Sequence, residues 1–176
     1  MIISFDRSTN PSINTLVRKG KKDPGEHIDW DDVKCSSADY KGILIVVQGG
    51  LHWMMNATDT FDSLIQPVIT HDRFHECLSL GKIRLIWLAM TAQSRLLDGP
   101  YSHQKRENAV VFNEEIHKSF IEAGYPDILI LDWYNMTNDS QTSDGLHSLT
   151  EVNLAKASQL LYLIEHWAQP QPTNHT

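Results

Sequence analysis

No stretch of this sequence comes near the roughly 20 apolar residues that a membrane-spanning helix needs; its longest apolar runs are of strand length. Basic residues are also scarce. Fifteen Lys and Arg stand against 22 Asp and Glu, giving a formal charge of -7 and a pI near 5.6. That balance excludes a nucleic-acid partner, whose phosphates call for clustered Lys and Arg. The one basic run, Arg18 to Lys22, is too short to change this. The two cysteines, Cys35 and Cys77, allow one disulfide or none, and their spacing has no metal pattern. The opening MIISFDRSTNP lacks both a basic n-region and an apolar h-region, so it does not read as a signal peptide. Internal repeats and low-complexity segments are absent.

What is present suits one soluble domain. The 176 residues are 41% apolar and 21% charged, enough to bury a sizeable core. We take residues 1–169 as that domain, with a long polar loop at 20–39 and a disordered tail at 170–176. Four N-x-S/T sequons, at Asn56, Asn135, Asn138 and Asn174, mildly favour a luminal or extracellular protein. With the signal peptide missing, this expectation holds only if the chain is part of a longer polypeptide. If Met1 is the true start, the cytoplasm is expected.

Hydrophobic patterning predicts strands at residues 2–5 (an edge strand), 43–48, 83–89 and 128–131; the last three are continuous apolar runs of the kind buried on both faces of a parallel sheet. A helix is predicted over 57–80, broken near Pro67. Another runs from about Gln104 to Ala123, with Ala109, Phe112, Ile116, Phe120 and Ala123 on one face and Gly124 as its stop. Alternating strands and amphipathic helices predict right-handed βαβ units and a three-layer α/β/α architecture with a mainly parallel sheet. In such sheets the ligand site lies beyond the carboxyl ends of the strands. Two features fall there: Gly49-Gly50-Leu51-His52-Trp53 after the second strand, and the segment from Asp132 to His147 after the last.

The second feature leads into the stretch around which the chain is organised, Ser143 to Trp167. Asp144 and His147 lie three apart on the loop entering a predicted helix, a spacing at which a carboxylate can orient an imidazole acting as general base. Ser148 and Glu151 form a capping-box pattern that starts the helix just after His147. Leu149, Val152, Ala155, Leu160, Leu163 and Trp167 are the expected apolar face.

D-G-L-H before a terminal amphipathic helix resembles the closing D-x-x-H block of the SGNH or GDSL-like esterase superfamily. Together with G-G-L-H-W after a buried strand, and L-D-W-Y-N-M-T ahead of the terminal block, the chain resembles the PC-esterase branch. That branch includes trichome-birefringence-like acetyltransferases and the luminal domain of sialic-acid O-acetyltransferase. The likeness covers roughly residues 40 to 167. It implies a flavodoxin-like SGNH fold and ester hydrolysis or acyl transfer without a cofactor or metal, with an acyl ester or an O-acetylated glycan as substrate. His147 would be the general base, Asp144 its orienting carboxylate, and Gly50 and His52 part of the oxyanion-stabilising region. Trp53 would wall a sugar site or simply pack.

The sequence departs from the family at the nucleophile. The superfamily opens with a strand ending in G-D-S, and these residues contain none. Ser8 is the nearest serine after a strand but lacks the glycine of the turn. The expectation is therefore a truncated or inactive form whose nucleophile strand lies before Met1. Losing that strand should leave residues 43–48 at or next to a sheet edge, either open to self-association or covered by residues 2–5. Two alternatives come from other classes. One is a non-catalytic binding or regulatory protein of the same fold; the other is a zinc-binding protein through His71 and His75, an H-x-x-x-H spacing.

Overall fold

The computed structural model describes residues 2–6, 12–14, 28, 30–38, 40–92, 104–138, 140 and 149–168. Among these the chain runs β1 (Ile2–Asp6), β2 (Ser12–Asn14), a 3-10 turn (Trp30–Asp32), β3 (Tyr40–Val47) and a second 3-10 turn (Leu51–Trp53). It continues through α1 (Ala57–Thr60), a π-helical turn (Phe61–Ile65), α2 (Gln66–Ile69), α3 (Asp72–Ser79), β4 (Ile83–Leu88), α4 (Arg106–Glu122), β5 (Leu129–Leu131), α5 (Trp133–Thr137) and α6 (Thr150–Ala168).

The fold is mixed α/β, and the three apolar runs form its parallel centre. β3 pairs with β4 from Ile43↔Ile83 to Val47↔Trp87, and β4 with β5 from Ile86↔Leu129 to Leu88↔Leu131. Strand alternation then divides the apolar side chains between two cores. On one face, Ile43, Ile45, Leu85 and Trp87 pack with Phe61, Ile65 and Ile69 and with Ala109, Phe112, Ile116 and Phe120 of α4. On the other, Leu44, Val46, Ile86, Leu88 and Leu131 pack with Leu160, Leu163 and Ile164 of α6.

The remaining strands follow expectation in that residues 2–5 cover the strand at 43–48, and depart from it otherwise. The sheet order is β2-β1-β3-β4-β5, with β1 antiparallel to both β2 and β3. β1 is therefore not an edge strand, and β3 is neither at an edge nor next to one. Direct pairing with β1 satisfies the row of β3 amides and carbonyls that would otherwise be left open, which removes β3 as a route to self-association.

The helix predicted over 57–80 is three short helices. Ala57, Phe61, Ile65 and Ile69 are all buried at four-residue spacing. Four α-helical residues advance about 400°, so such a stripe drifts some 40° per step in a regular α-helix. The wider π turn takes up part of that drift, and Pro67, which has no amide to donate, follows it. Gly124 ends α4 at φ +90, as expected, although Ala123 is exposed and lies off the buried face.

α6 buries a different stripe from the one expected. Val152, Lys156, Gln159, Leu160, Leu163 and Ile164 face inward, while Leu149 and Ala155 are exposed. At 100° per residue Lys156 falls in line with Val152 and Leu160, and its ammonium sits 5.4 Å from the centre of the Trp133 ring. Cys35 and Cys77 pair as a buried disulfide that fixes the turn before β3 to α3. Half of the 20–39 loop, the capping box at Ser148 and the 170–176 tail lie outside the described residues.

Candidate functional site

The carboxyl ends of β3, β4 and β5 point the same way because the three strands are parallel, so the segments leaving them share one rim. β3 exits into Gly49-Gly50. Gly50 has φ +126, which side-chain-bearing residues rarely adopt, and a Cβ there would lie 2.5 Å from Phe112 Cζ and 2.9 Å from Met90 Cε. A Cβ on Gly49 would run into Leu64 Cδ1. The glycines thus let the strand exit press against α4 and the end of β4.

Beyond Gly50 the backbone folds back on itself. The Gly50 carbonyl accepts from the amides of Trp53 (3.0 Å) and Met55 (2.9 Å), and the Trp53 carbonyl accepts from the Asn56 amide (2.9 Å). Met54 and Met55 are both left-handed, at φ 55 and 60. Consecutive non-glycine residues in that region store strain of the kind found at functional turns. The backbone of His52 lies in this 3-10 turn; its side chain lies outside the described residues. Trp53 is 4% exposed, so it packs and does not wall an open sugar platform.

β4 exits into Met90-Thr91-Ala92, which is clamped from two sides. Asn113 of α4 accepts from the Met90 amide at 2.7 Å and donates to its carbonyl at 3.1 Å. On the α5 side, the buried Thr137 hydroxyl accepts from the Ala92 amide at 2.8 Å while donating to the Trp133 carbonyl at 2.7 Å. Thr137 belongs to the L-D-W-Y-N-M-T segment and the Asn135 sequon, neither of which pointed to this clamp; Asn113 lies in no motif. Asn113 had a signal all the same: it is a polar residue on the apolar stripe of Ala109, Ile116 and Phe120, where an unpaired amide would be costly.

β5 exits into α5, the L-D-W-Y-N-M-T segment. Asp132 caps α5 by accepting from the Asn135 amide at 3.0 Å. Trp133 donates its indole N–H to Gln159 of α6 at 3.1 Å. Burial lowers the pKa of Lys156, which packs on the same ring. The first half of α6 is therefore tied to α5, at the rim. Asp144 and His147, on the chain between α5 and α6, lie outside the described residues, as does Ser8. Of the four expected site residues, Gly50 is thus placed in full and His52 by its backbone.

His71 and His75 do not form a pair on one helix. His71 is the N-cap of α3, with Nδ1 accepting from the Arg73 amide at 3.2 Å and its ring stacked on Trp30 at 4.6 Å. Among the described residues no group of three His, Cys, Asp or Glu could hold a metal ion. No helix among them is long and apolar enough to cross a membrane.

Neither a family model, nor a curated protein, nor a solved structure matches the chain.

Proposed function

We propose that these residues carry the acid-base half of an SGNH-type esterase or O-acyltransferase site acting on acyl esters, with O-acetyl groups on a glycan as the expected substrate class. The observation that carries the reading is topological. G-G-L-H-W directly follows the carboxyl end of β3, and β5, the last strand before D-x-x-H in sequence, runs parallel to it; the proposal puts both blocks at that one rim. In this reading the sheet with helices on both faces is the three-layer α/β/α SGNH fold. His147 takes the proton of the attacking hydroxyl and returns it to the leaving alcohol, while Asp144 holds the ring in the required tautomer. The Gly50–His52 turn stabilises the oxyanion, for which a well-aimed donor contributes about 3 kcal/mol.

The nucleophile is not recognisable in these residues, so the chain alone should be inactive or nearly so. The test is hydrolysis of p-nitrophenyl acetate by the 176-residue chain and by the same chain preceded by a strand ending in G-D-S. Activity in the second alone, lost on His147→Ala, supports the proposal. Turnover in the chain alone that Ser8→Ala abolishes would put the nucleophile at Ser8. Turnover abolished by chelators and restored by zinc would replace the reading with the metal one. One observation favours a non-catalytic protein of the same fold: β1 pairs directly with β3, where the family carries its nucleophile strand. Failure of the extended chain to hydrolyse the ester while still folded would support that.

A further inference from the structure

We propose that Asn56 is an N-linked glycan acceptor and that it is occupied in the folded protein in preference to Asn135. Two independent observations lead to this. The first is the Cys35–Cys77 disulfide, with both cysteines at most 1% exposed. A buried structural disulfide belongs to an oxidising compartment, and such compartments include the one in which N-glycans are attached.

The second is how the sequons sit in the fold. Asn56 is exposed and caps α1 in an extended conformation, its Oδ1 accepting from the Asp59 amide at 2.9 Å. The cap uses the oxygen, whereas the glycan is carried on Nδ2, so the modified residue keeps its structural role. Thr58, the hydroxyl residue of this sequon, is exposed as well.

Asn135 is placed differently. Its Nδ2 donates to Asp132 Oδ2, the carboxylate that caps α5. The hydroxyl residue of its sequon is Thr137, 2% exposed and committed to the Ala92 amide and the Trp133 carbonyl. Asn138 is half-buried, its carbonyl held by the Arg106 guanidinium and its sequon partner Ser140 donating to the Thr137 carbonyl at 2.9 Å. Asn135 is exposed, as Asn56 is, but a sugar on its Nδ2 lies beside the carboxylate that caps α5, next to the clamp on the β4 exit, whereas a sugar on Asn56 leaves its capping oxygen untouched.

In the reaction, Asn56 Nδ2 attacks C1 of the reducing-end sugar of a polyprenyl-diphosphate-linked oligosaccharide. The C1–N bond forms and the C1–O bond breaks. The lipid diphosphate leaves with the electron pair, and one amide proton passes to solvent. Attachment precedes folding, so the folded geometry acts by selecting which glycoforms reach the native state. The sugar replaces one of the two Nδ2 hydrogens beside the exposed Asp132 carboxylate, and the disturbed contact disfavours the Asn135 glycoform by about two- to fivefold.

The test expresses the full chain behind a cleavable secretion signal in a eukaryotic host. Peptide mapping follows enzymatic deglycosylation in heavy-oxygen water, on cell lysate and medium separately. The expected result is a tag on the Asn56 peptide in both fractions, exceeding that on the Asn135 peptide by about two- to fivefold in the medium. Thr58→Ala should remove the Asn56 tag while leaving the helix cap intact, and Thr58→Ser should retain it. An untagged Asn56 in chain whose disulfide has formed would overturn the proposal, as would equal occupancy of Asn135 in secreted material.

Discussion

The Ala92 amide donates to the Thr137 hydroxyl over 2.8 Å, joining two residues 45 apart in sequence and tying the exit of β4 to α5. Asn113 holds the same exit from the other side through Met90. Thr137→Val keeps the shape and removes the acceptor, leaving the Ala92 amide buried and unsatisfied; the expected loss is about 1–3 kcal/mol. Asn113→Ala should cost about as much. Both residues hold the same short segment, Met90 to Ala92, so a double-mutant cycle should give a coupling of at least about 0.5 kcal/mol. Urea melts of the four proteins check this; strict additivity would mean the two clamps act independently.

Gly50→Ala is expected to destabilise by about 2–4 kcal/mol, combining the left-handed backbone with the contacts against Phe112 and Met90. Gly81→Ala is the control. That glycine has φ +65 but nothing within 4 Å of a Cβ, so only the backbone cost of about 1 kcal/mol remains. A difference between the two in chemical denaturation isolates the packing contribution at the rim.

Reducing the Cys35–Cys77 disulfide, or replacing both cysteines by serine, releases a loop of 42 residues' separation. The chain-entropy estimate for such a loop is about 4 kcal/mol. Thermal unfolding with and without reductant should show a lower midpoint in the reduced protein, and the double serine variant should no longer respond to reductant.

The centre of the sheet was legible because ILIVV, IRLIWL and LIL are continuous apolar runs, and only two-sided burial rewards such runs with strand structure. α4 was legible for the same kind of reason: Ala109, Phe112, Ile116 and Phe120 repeat at helical spacing. For β1, pairing with the strand at 43–48 was one of two expected outcomes, but IISF carries no mark of its direction or of the further strand β2 beyond it. The buried stripe of α6 was misjudged because Lys156 reads as surface by type, whereas in the fold it is buried with its ammonium over the Trp133 ring. At the site, Gly50 was legible through the local backbone need for glycine. Asn113 and Thr137 act across long sequence separations, which no local motif records.

Alkaline pH should separate two desolvated groups, buried Lys156 and partly buried Tyr125. Desolvation lowers the Lys156 pKa below the ordinary 10.5. Between that lowered value and 10.5 the unfolded chain binds more protons than the folded one, so this group's contribution to stability rises with pH. Desolvation raises the Tyr125 pKa above 10.0. From 10.0 upward the unfolded chain binds fewer protons, and the Tyr125 contribution falls as pH rises. Denaturation midpoints should therefore show Lys156→Met gaining relative to wild type near pH 7, with the gap narrowing towards pH 10.5. Tyr125→Phe loses the hydrogen bond to the Ile69 carbonyl, worth about 1 kcal/mol, and its deficit should shrink above pH 10.

The π turn at Phe61–Ile65 has a consequence for chain length. A single residue deleted from it, such as Ser63, would leave a regular α-helix that is better hydrogen-bonded locally. Ala57, Phe61, Ile65 and Ile69 would then stand at spacings of four, three and four residues, the spacing of a regular α-helical stripe, so they keep facing the core and the chain downstream keeps its orientation. The turn thus holds a surplus of one residue, and this segment should tolerate losing it on the exposed side, whereas a further insertion would turn Ile65 and Ile69 out of line.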